Sequence, residues 1–196
     1  MNLFLVQGQP RAPLTVVELI VAKNCDLAGF WSQASGWAPP EAADLLSKSR
    51  LDRQQSLSVS LAHWAGAPHP LSEGDLILAW ANLGSLVEGA LKLFLCVFYE
   101  DYKADAEKTK FHKVYDSKTG KPRDPDRLEL EGLSQYFKKA ELLTEEELSW
   151  LAKVQARRNA IHSFRHREIG DTGEFLAALV EYYDFLEGIE SRLPYP

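Results

Sequence analysis

The sequence predicts an all-α fold: an up-and-down helical bundle with an N-terminal helical elaboration. Three observations carry this. Apolar residues recur at intervals of three and four, N-cap signals stand ahead of several of those stretches, and Gly and Pro punctuate the chain between them, leaving little room for a sheet. The 196 residues are 45% hydrophobic and 26% charged, ordinary values for a globular protein that exclude a disordered or low-complexity polymer. A chain of this size fills a core without disulfides or a structural metal, so its two cysteines carry little structural expectation. Cys96, inside the apolar run 93–98, reads as a buried, reduced thiol.

The elements follow from the N-terminus. Met1 to Val6 is apolar but has no basic flank and stops at Gln7, too soon for a signal-peptide core. Thr15 and Glu18 have capping-box spacing before an apolar stretch through Val21, whose β-branched residues are also compatible with a strand. Gly29, Gly36 and Pro39-Pro40 mark 24–40 as loop. A helix is predicted over 41–64, with Leu57, Leu61 and Trp64 at core spacing, ended by Gly66, Pro68 and Pro70. Ser72 and Asp75 cap a very apolar helix over 75–99. From Leu76 to Phe98 its only charges are Glu88 and Lys92, a length able to span a bilayer. Those charges share one line with Ser85, so a buried helix with a polar seam explains the pattern better than a membrane span.

Residues 100–127 are rich in Asp, Lys, Gly and Pro, and predict a long exposed connection or a small hairpin around 117–122. A short helix over 128–139 comes next. Thr144-Glu145-Glu146-Glu147 then combines an N-cap, a capping-box glutamate and carboxylates at the positive end of the helix dipole. Leu151, Val154, Ile161 and Phe164 mark the core stripe of that helix. Asp171-Thr172 caps the last helix, in which Phe175, Leu176, Leu179, Tyr183, Leu186 and Ile189 recur. The predicted organisation is an elaboration over 1–70 packed on a bundle over 71–196, as one continuous domain.

The net charge of −6 argues against a protein coated with nucleic acid, yet the charge is uneven. Lys153, Arg157, Arg158, Arg165 and Arg167, with His162 and His166, occupy 153–167 without one carboxylate, and the rest of the chain stands at −11. Dipole complementation at a helix C-terminus accounts for two or three of these cations. It does not account for the grouping Arg157-Arg158-Asn159-Ala160-Ile161-His162. On a continuous helix Arg158, Asn159 and His162 share a face, presenting a guanidinium, a carboxamide and an imidazole. Arg157 points toward the apolar stripe and needs a partner, for which Glu88, the only acid between Leu76 and Phe98, is the nominee. An imidazole beside a fixed guanidinium suits metal-free RNA cleavage, in which a base removes the 2′-hydroxyl proton and a cation stabilises the phosphorane.

That grouping, late in a helical domain and followed by an amphipathic helix, resembles the signature of the HEPN superfamily (higher eukaryotes and prokaryotes nucleotide-binding domain). Arg157 with four residues before His162 fits its Arg-x4-His motif, and Arg158-Asn159 supplies the related Arg-Asn-x-x-His form. The resemblance implies a HEPN-like helical bundle, commonly dimeric, and a metal-independent endoribonuclease of toxin–antitoxin, abortive-infection or CRISPR systems. It assigns catalysis to His162, Arg158, Arg157 and Asn159 and a supporting role to Glu88, where the family often has an earlier acidic residue. Arg158 stands where the family more often has Asn, Asp or His: helix geometry favours Arg158 for the phosphate, family spacing Arg157. Some members have lost cleavage and only bind, so a non-catalytic helical module for nucleotide, RNA or protein is the alternative.

RNA is the expected ligand, with Lys153, Arg165, His166 and Arg167 as further contacts. A homodimer facing across a two-fold axis would supply both a base and an acid. An antitoxin or other regulatory protein is the expected further partner, and the cytoplasm, without membrane contact, the expected location. No cofactor is expected. No metal is expected either, since His69 and His112 lack ligand-spaced neighbours. Trp31, Trp37, Trp64, Trp80 and Trp150 mostly fall at core-like positions rather than as a stacking surface. Lys118-Thr119-Gly120-Lys121 lacks the frame of a phosphate loop.

Overall fold

Helix α5, Glu73–Val97, is the axle of the molecule. In a computed structural model of the chain, describing residues 5–6, 9–10, 12–162 and 164–195, helix makes up 69% and strand 2%, so the fold is all-α. The sequence readings of Met1 to Phe4 and of Gln7 lie outside the described residues. Ser72 caps α5 by accepting from the Asp75 N–H at 3.2 Å. The helix is long and apolar enough to cross a membrane, and 61% of its apolar window is buried inside the protein. It packs against α8 (Glu145–Arg158), α9 (Thr172–Glu190), α2 (Pro40–Lys48), α3 (Leu51–Ser60) and α7 (Leu130–Lys139). Its Leu83, Leu86, Val87 and Leu91 are fully buried, each contributing about 1.5–3 kcal/mol.

The N-terminal third differs from the sequence expectation. Residues 5–6 and 9–10 pair as a short antiparallel ladder, β1 with β2. A single helix, α1 (Pro13–Trp31), then runs through the segment expected as loop. Pro13 opens it behind Ala12, and no side chain caps it, so Thr15 is not the cap its spacing implied. Gly29 costs the helix roughly 1 kcal/mol, offset by burial of Ile20, Leu27 and Trp31 against α3 and α9. These residues share one continuous core with α5, α8 and α9.

The expected helix over 41–64 is three pieces: α2, α3 and α4 (Ala62–Ala65). Ser49 turns extended (ψ 149°) while its hydroxyl donates to Leu46 O at 2.5 Å, a break that no Gly or Pro announces. Leu61 is buried and Trp64 half-buried, but Leu57 is exposed, contrary to its core spacing.

Beyond α5 the chain kinks at Phe98 and continues as α6 (Tyr99–Thr109), in a region read as non-helical. Tyr99, Tyr102 and Ala106 form its narrow buried stripe. A hairpin follows, β3 (Tyr115–Asp116) with β4 (Lys121–Pro122), turned at Gly120 with φ +67°. The predicted capping box on α8 is present in both directions: Glu147 N–H donates to Thr144 Oγ1 at 3.2 Å, and Thr144 N–H to Glu147 Oε2 at 2.8 Å. That helix ends at Arg158. Ile161 and Phe164, expected on its core stripe, are exposed because the chain has already left the helical path. Asp171 caps α9 through the Glu174 N–H at 2.8 Å.

Candidate functional site

Three elements converge on a cleft of about 430 Å³: the middle of α5, the start of α7 and the end of α8. Ala81, Ser85 and Glu88 form one wall, Glu129 and Glu131 the rim, and Arg158, Asn159 and His162 the facing wall. The α5 residues lie at intervals of three and four, so one stripe of the helix faces the opening. The opposite wall is not a continuous helix. After Arg158 the chain tightens into a 3₁₀ turn, Asn159–Ile161, and leaves it at His162 with ψ 88°. The sequence-based angles around an unbroken helix therefore do not apply. Even so, the turn brings Arg158, Asn159 and His162 to the same cleft.

The two arginines have separate fates. Arg158 Nη1 lies 3.0 Å from Glu88 Oε2, and Glu88 also accepts from Lys92 Nζ at 2.8 Å through its other oxygen. Arg157 instead donates twice to Glu174 of α9, Nε at 2.9 Å and Nη2 at 3.1 Å. The nomination of Glu88 as partner of Arg157 is thus corrected: helix α8 turns Arg157 toward α9 and Arg158 toward α5. Arg157, the arginine of the Arg-x4-His spacing, lies outside the cleft lining, while the Arg-Asn-x-x-His set lines it. Beyond this ion pair Arg158 makes no side-chain hydrogen bond among the described residues, so the rest of its guanidinium is available to a ligand. The His162 side chain is exposed, and no described residue holds its ring.

Two glycines seat these pairs, and neither stood out in the sequence. A Cβ at Gly84 would meet Arg158 Cδ at 2.5 Å, so a side chain there would push Arg158 off α5. Gly170, at φ +69°, turns the chain into α9 beneath the Glu174 carboxylate. A glycine inside an otherwise apolar helix was the available signal for Gly84.

The predicted basic face is largely cancelled. Besides Arg157 and Arg158, Lys153 pairs with Glu181 at 2.7 Å, so three of the five cations meet carboxylates from α5 and α9. Counting charge along one segment misses this, because the acids arrive from other helices. Arg165 and His166 remain exposed, His166 beside an equally exposed Glu168 at 3.4 Å, while Arg167 is half-buried with its Nε unpartnered. Among the described residues no group of three or more His, Cys, Asp or Glu is placed to hold a metal ion. Burial pushes the Cys96 thiol up to about 12, which leaves it a poor nucleophile at neutral pH. Trp31, Trp80 and Trp150 are buried and Trp64 is half-buried, as their mostly core-like positions imply, while Trp37 is 45% exposed at the edge of an aromatic cluster with Phe30, Trp31 and Tyr195. No family model, curated protein or solved structure matches the chain.

Proposed function

We propose that the chain is a metal-independent endoribonuclease of HEPN type, acting on single-stranded or loop RNA. The observation that carries this reading is the shared cleft of Arg158, Asn159 and His162, with Glu88 holding Arg158 from behind. His162 removes the 2′-hydroxyl proton; the 2′-oxygen attacks the adjacent phosphorus; the 5′-oxygen leaves, giving a 2′,3′-cyclic phosphate and a 5′-hydroxyl. Arg158 meets the charge that builds on the phosphorane oxygens, and the Asn159 carboxamide orients the phosphate. Arg157, bound twice to Glu174, acts as a positioning residue for the end of α8 rather than as a phosphate ligand.

The leaving oxygen needs a proton, and the His162 of a second copy facing across a two-fold axis would deliver it. Exposed Leu78, one turn before Ala81 on α5, together with exposed Ile161 and Phe164, supplies apolar surface beside the cleft for such a homodimer. A cytoplasmic toxin or defence enzyme restrained by an antitoxin or other regulatory protein is the setting this activity fits.

The second reading, a non-catalytic module for nucleotide, RNA or protein, is favoured by one observation: both motif arginines are already ion-paired, which lowers the field at the cleft. His162→Ala separates the two. Cleavage of a mixed RNA pool, measured with and without EDTA, falls by at least about a hundredfold while RNA binding survives if His162 is the base. Purified wild-type protein that binds RNA but leaves it intact under both conditions would establish the binding module instead.

A further inference from the structure

The positive charge cancelled at the end of α8 survives elsewhere. Between Lys108 and Arg123 the chain carries six Lys and Arg against a single carboxylate, Asp116. Outside this segment and 153–167, eleven Lys and Arg face twenty-seven Asp and Glu, a balance of −16. The segment comprises the end of α6 and the β3–β4 hairpin. Lys108, Lys118, Lys121 and Arg123 are all exposed, and among the described residues none has an ion-pair partner within 4.0 Å. Asp116 is committed to the turn: the Lys118 N–H donates to it at 2.9 Å, and this bond, with Thr119 and Arg123 nearby, holds its carboxyl below the usual range.

Two features make this more than a solvated loop. Rings are interleaved with the cations: His112 is exposed, Phe111 and Tyr115 are half-buried, Lys110 Nζ lies 4.1 Å from the Tyr115 ring centre, and Lys139 comes from α7 to 5.3 Å from that of Phe111. The hairpin also borders the cleft. A recess of about 240 Å³ lined by His112, Lys113, Arg123 and Arg127 shares Glu129 and Glu131 with the cleft that holds Arg158 and His162. Glu131 is neutralised by Lys113 at 3.1 Å, leaving Glu129 as the acid between the two, so a polyanion would pass on the hairpin side of Glu129.

We infer that the β3–β4 hairpin and the end of α6 form a docking track for the phosphates of single-stranded RNA, leading to the Arg158–His162 cleft. The inference rests on the reading of that cleft as an RNA site, and it names where the substrate's affinity comes from. The exposed cations supply a field that the paired arginines do not, and the exposed His112 ring offers stacking that no duplex would use. Catalysis and binding are then divided between two neighbouring surfaces, and the overall acidity of the chain confines RNA to this side.

The test is the variant Lys118→Gln/Lys121→Gln/Arg123→Gln, made both alone and on a His162→Ala background so that RNA stays intact. Binding of a labelled single-stranded RNA of about twenty nucleotides is followed by anisotropy across a salt series in EDTA. The triple variant should lose about tenfold or more in affinity at low salt, and the slope of log K against log salt should become shallower by about 2, since each single-strand phosphate contact contributes roughly 0.7. All three positions are exposed and lie outside the core, and an unchanged circular dichroism melt verifies that the fold is kept. Unchanged affinity and slope overturn the inference. So does a wild-type protein that ignores RNA, or that binds phosphatidylserine vesicles as tightly as RNA. The two readings fail separately: cleavage with unaltered binding in the triple variant removes the hairpin track alone, whereas hairpin-dependent binding without any cleavage removes catalysis alone.

Discussion

At Gly84 the absence of a side chain decides what a neighbouring one can do. Arg158 lies over this glycine with its Cδ 2.5 Å from where a Cβ would stand, and reaches Glu88 one turn further along α5. Gly84→Ala gains roughly 1 kcal/mol of helix propensity, but its Cβ would meet Arg158 Cγ and Cβ at 2.8 and 2.9 Å as well. Since Arg158 Cβ is fixed to the α8 backbone, the variant presses α8 away from α5, so RNA cleavage should drop about tenfold or more and the melting temperature should fall. Gly74→Ala is the matched control on the same helix, because a Cβ there meets nothing within 4 Å. It should leave cleavage unaltered and raise stability by no more than about 0.5 kcal/mol, because Gly74 lies in the first turn of α5. Equal loss of activity in both variants would show that Arg158 is not seated by this contact. The sequence named both arginines but could not divide them: adjacent residues on a helix point about 100° apart, and which one meets Glu88 depends on how α8 is rotated against α5.

At the scale of elements, α8 was the most legible and its end the least. Its capping box is written in four consecutive residues, and the structure shows both of its hydrogen bonds. Thr144→Ala removes the acceptor for the Glu147 N–H and should cost about 1 kcal/mol, read as a fall in melting temperature of roughly 2–4 °C for a chain of this size. Thr144→Ser should recover most of it; an equal loss in both would assign the effect to packing of the threonine methyl. The C-terminus of α8 has no comparable signal. Apolar Ile161 and Phe164 continue the spacing, yet the helix stops at Arg158 and both side chains are exposed. Likewise α6 was hidden by its polar composition, because three buried residues, Tyr99, Tyr102 and Ala106, are enough to hold it. The split of 41–64 at Ser49 has the same cause: packing against α5 and α1 fixes a break that local propensity leaves open.

Across the whole molecule, buried acids around the α5–α6 junction make stability fall at high pH. Burial is the leading cause in pushing Cys96 up from 9.0 and Tyr99 up from 10.0, each to about 12, and in raising Tyr102 and Tyr136 further. Each of these acids holds its proton more tightly folded than unfolded. Their contribution to stability is therefore complete below about pH 9 and is lost as the pH rises from there through about 12. The melting temperature should stay level into mildly alkaline solution and then fall, with tyrosinate absorbance of the folded protein lagging behind that of the unfolded chain. Native tyrosines that all ionised near 10 would contradict this. Natively, Cys25 alone should react with a thiol reagent at mildly alkaline pH, because it is exposed while Cys96 is buried.

By itself the sequence determined that the chain is helical, where its strongest caps fall, and that 75–99 holds a buried, very apolar helix, and it nominated the six consecutive residues 157–162 as a candidate site. Those properties are local: they depend on spacing along the chain and on side chains within one turn of each other. The tertiary structure alone decided that Arg158 rather than Arg157 enters the cleft, and that Glu88 and Glu174 take one arginine each. A charge count along the chain cannot anticipate this, since Coulomb interactions act through space and the neutralising carboxylates come from helices 17 and 70 residues away in sequence.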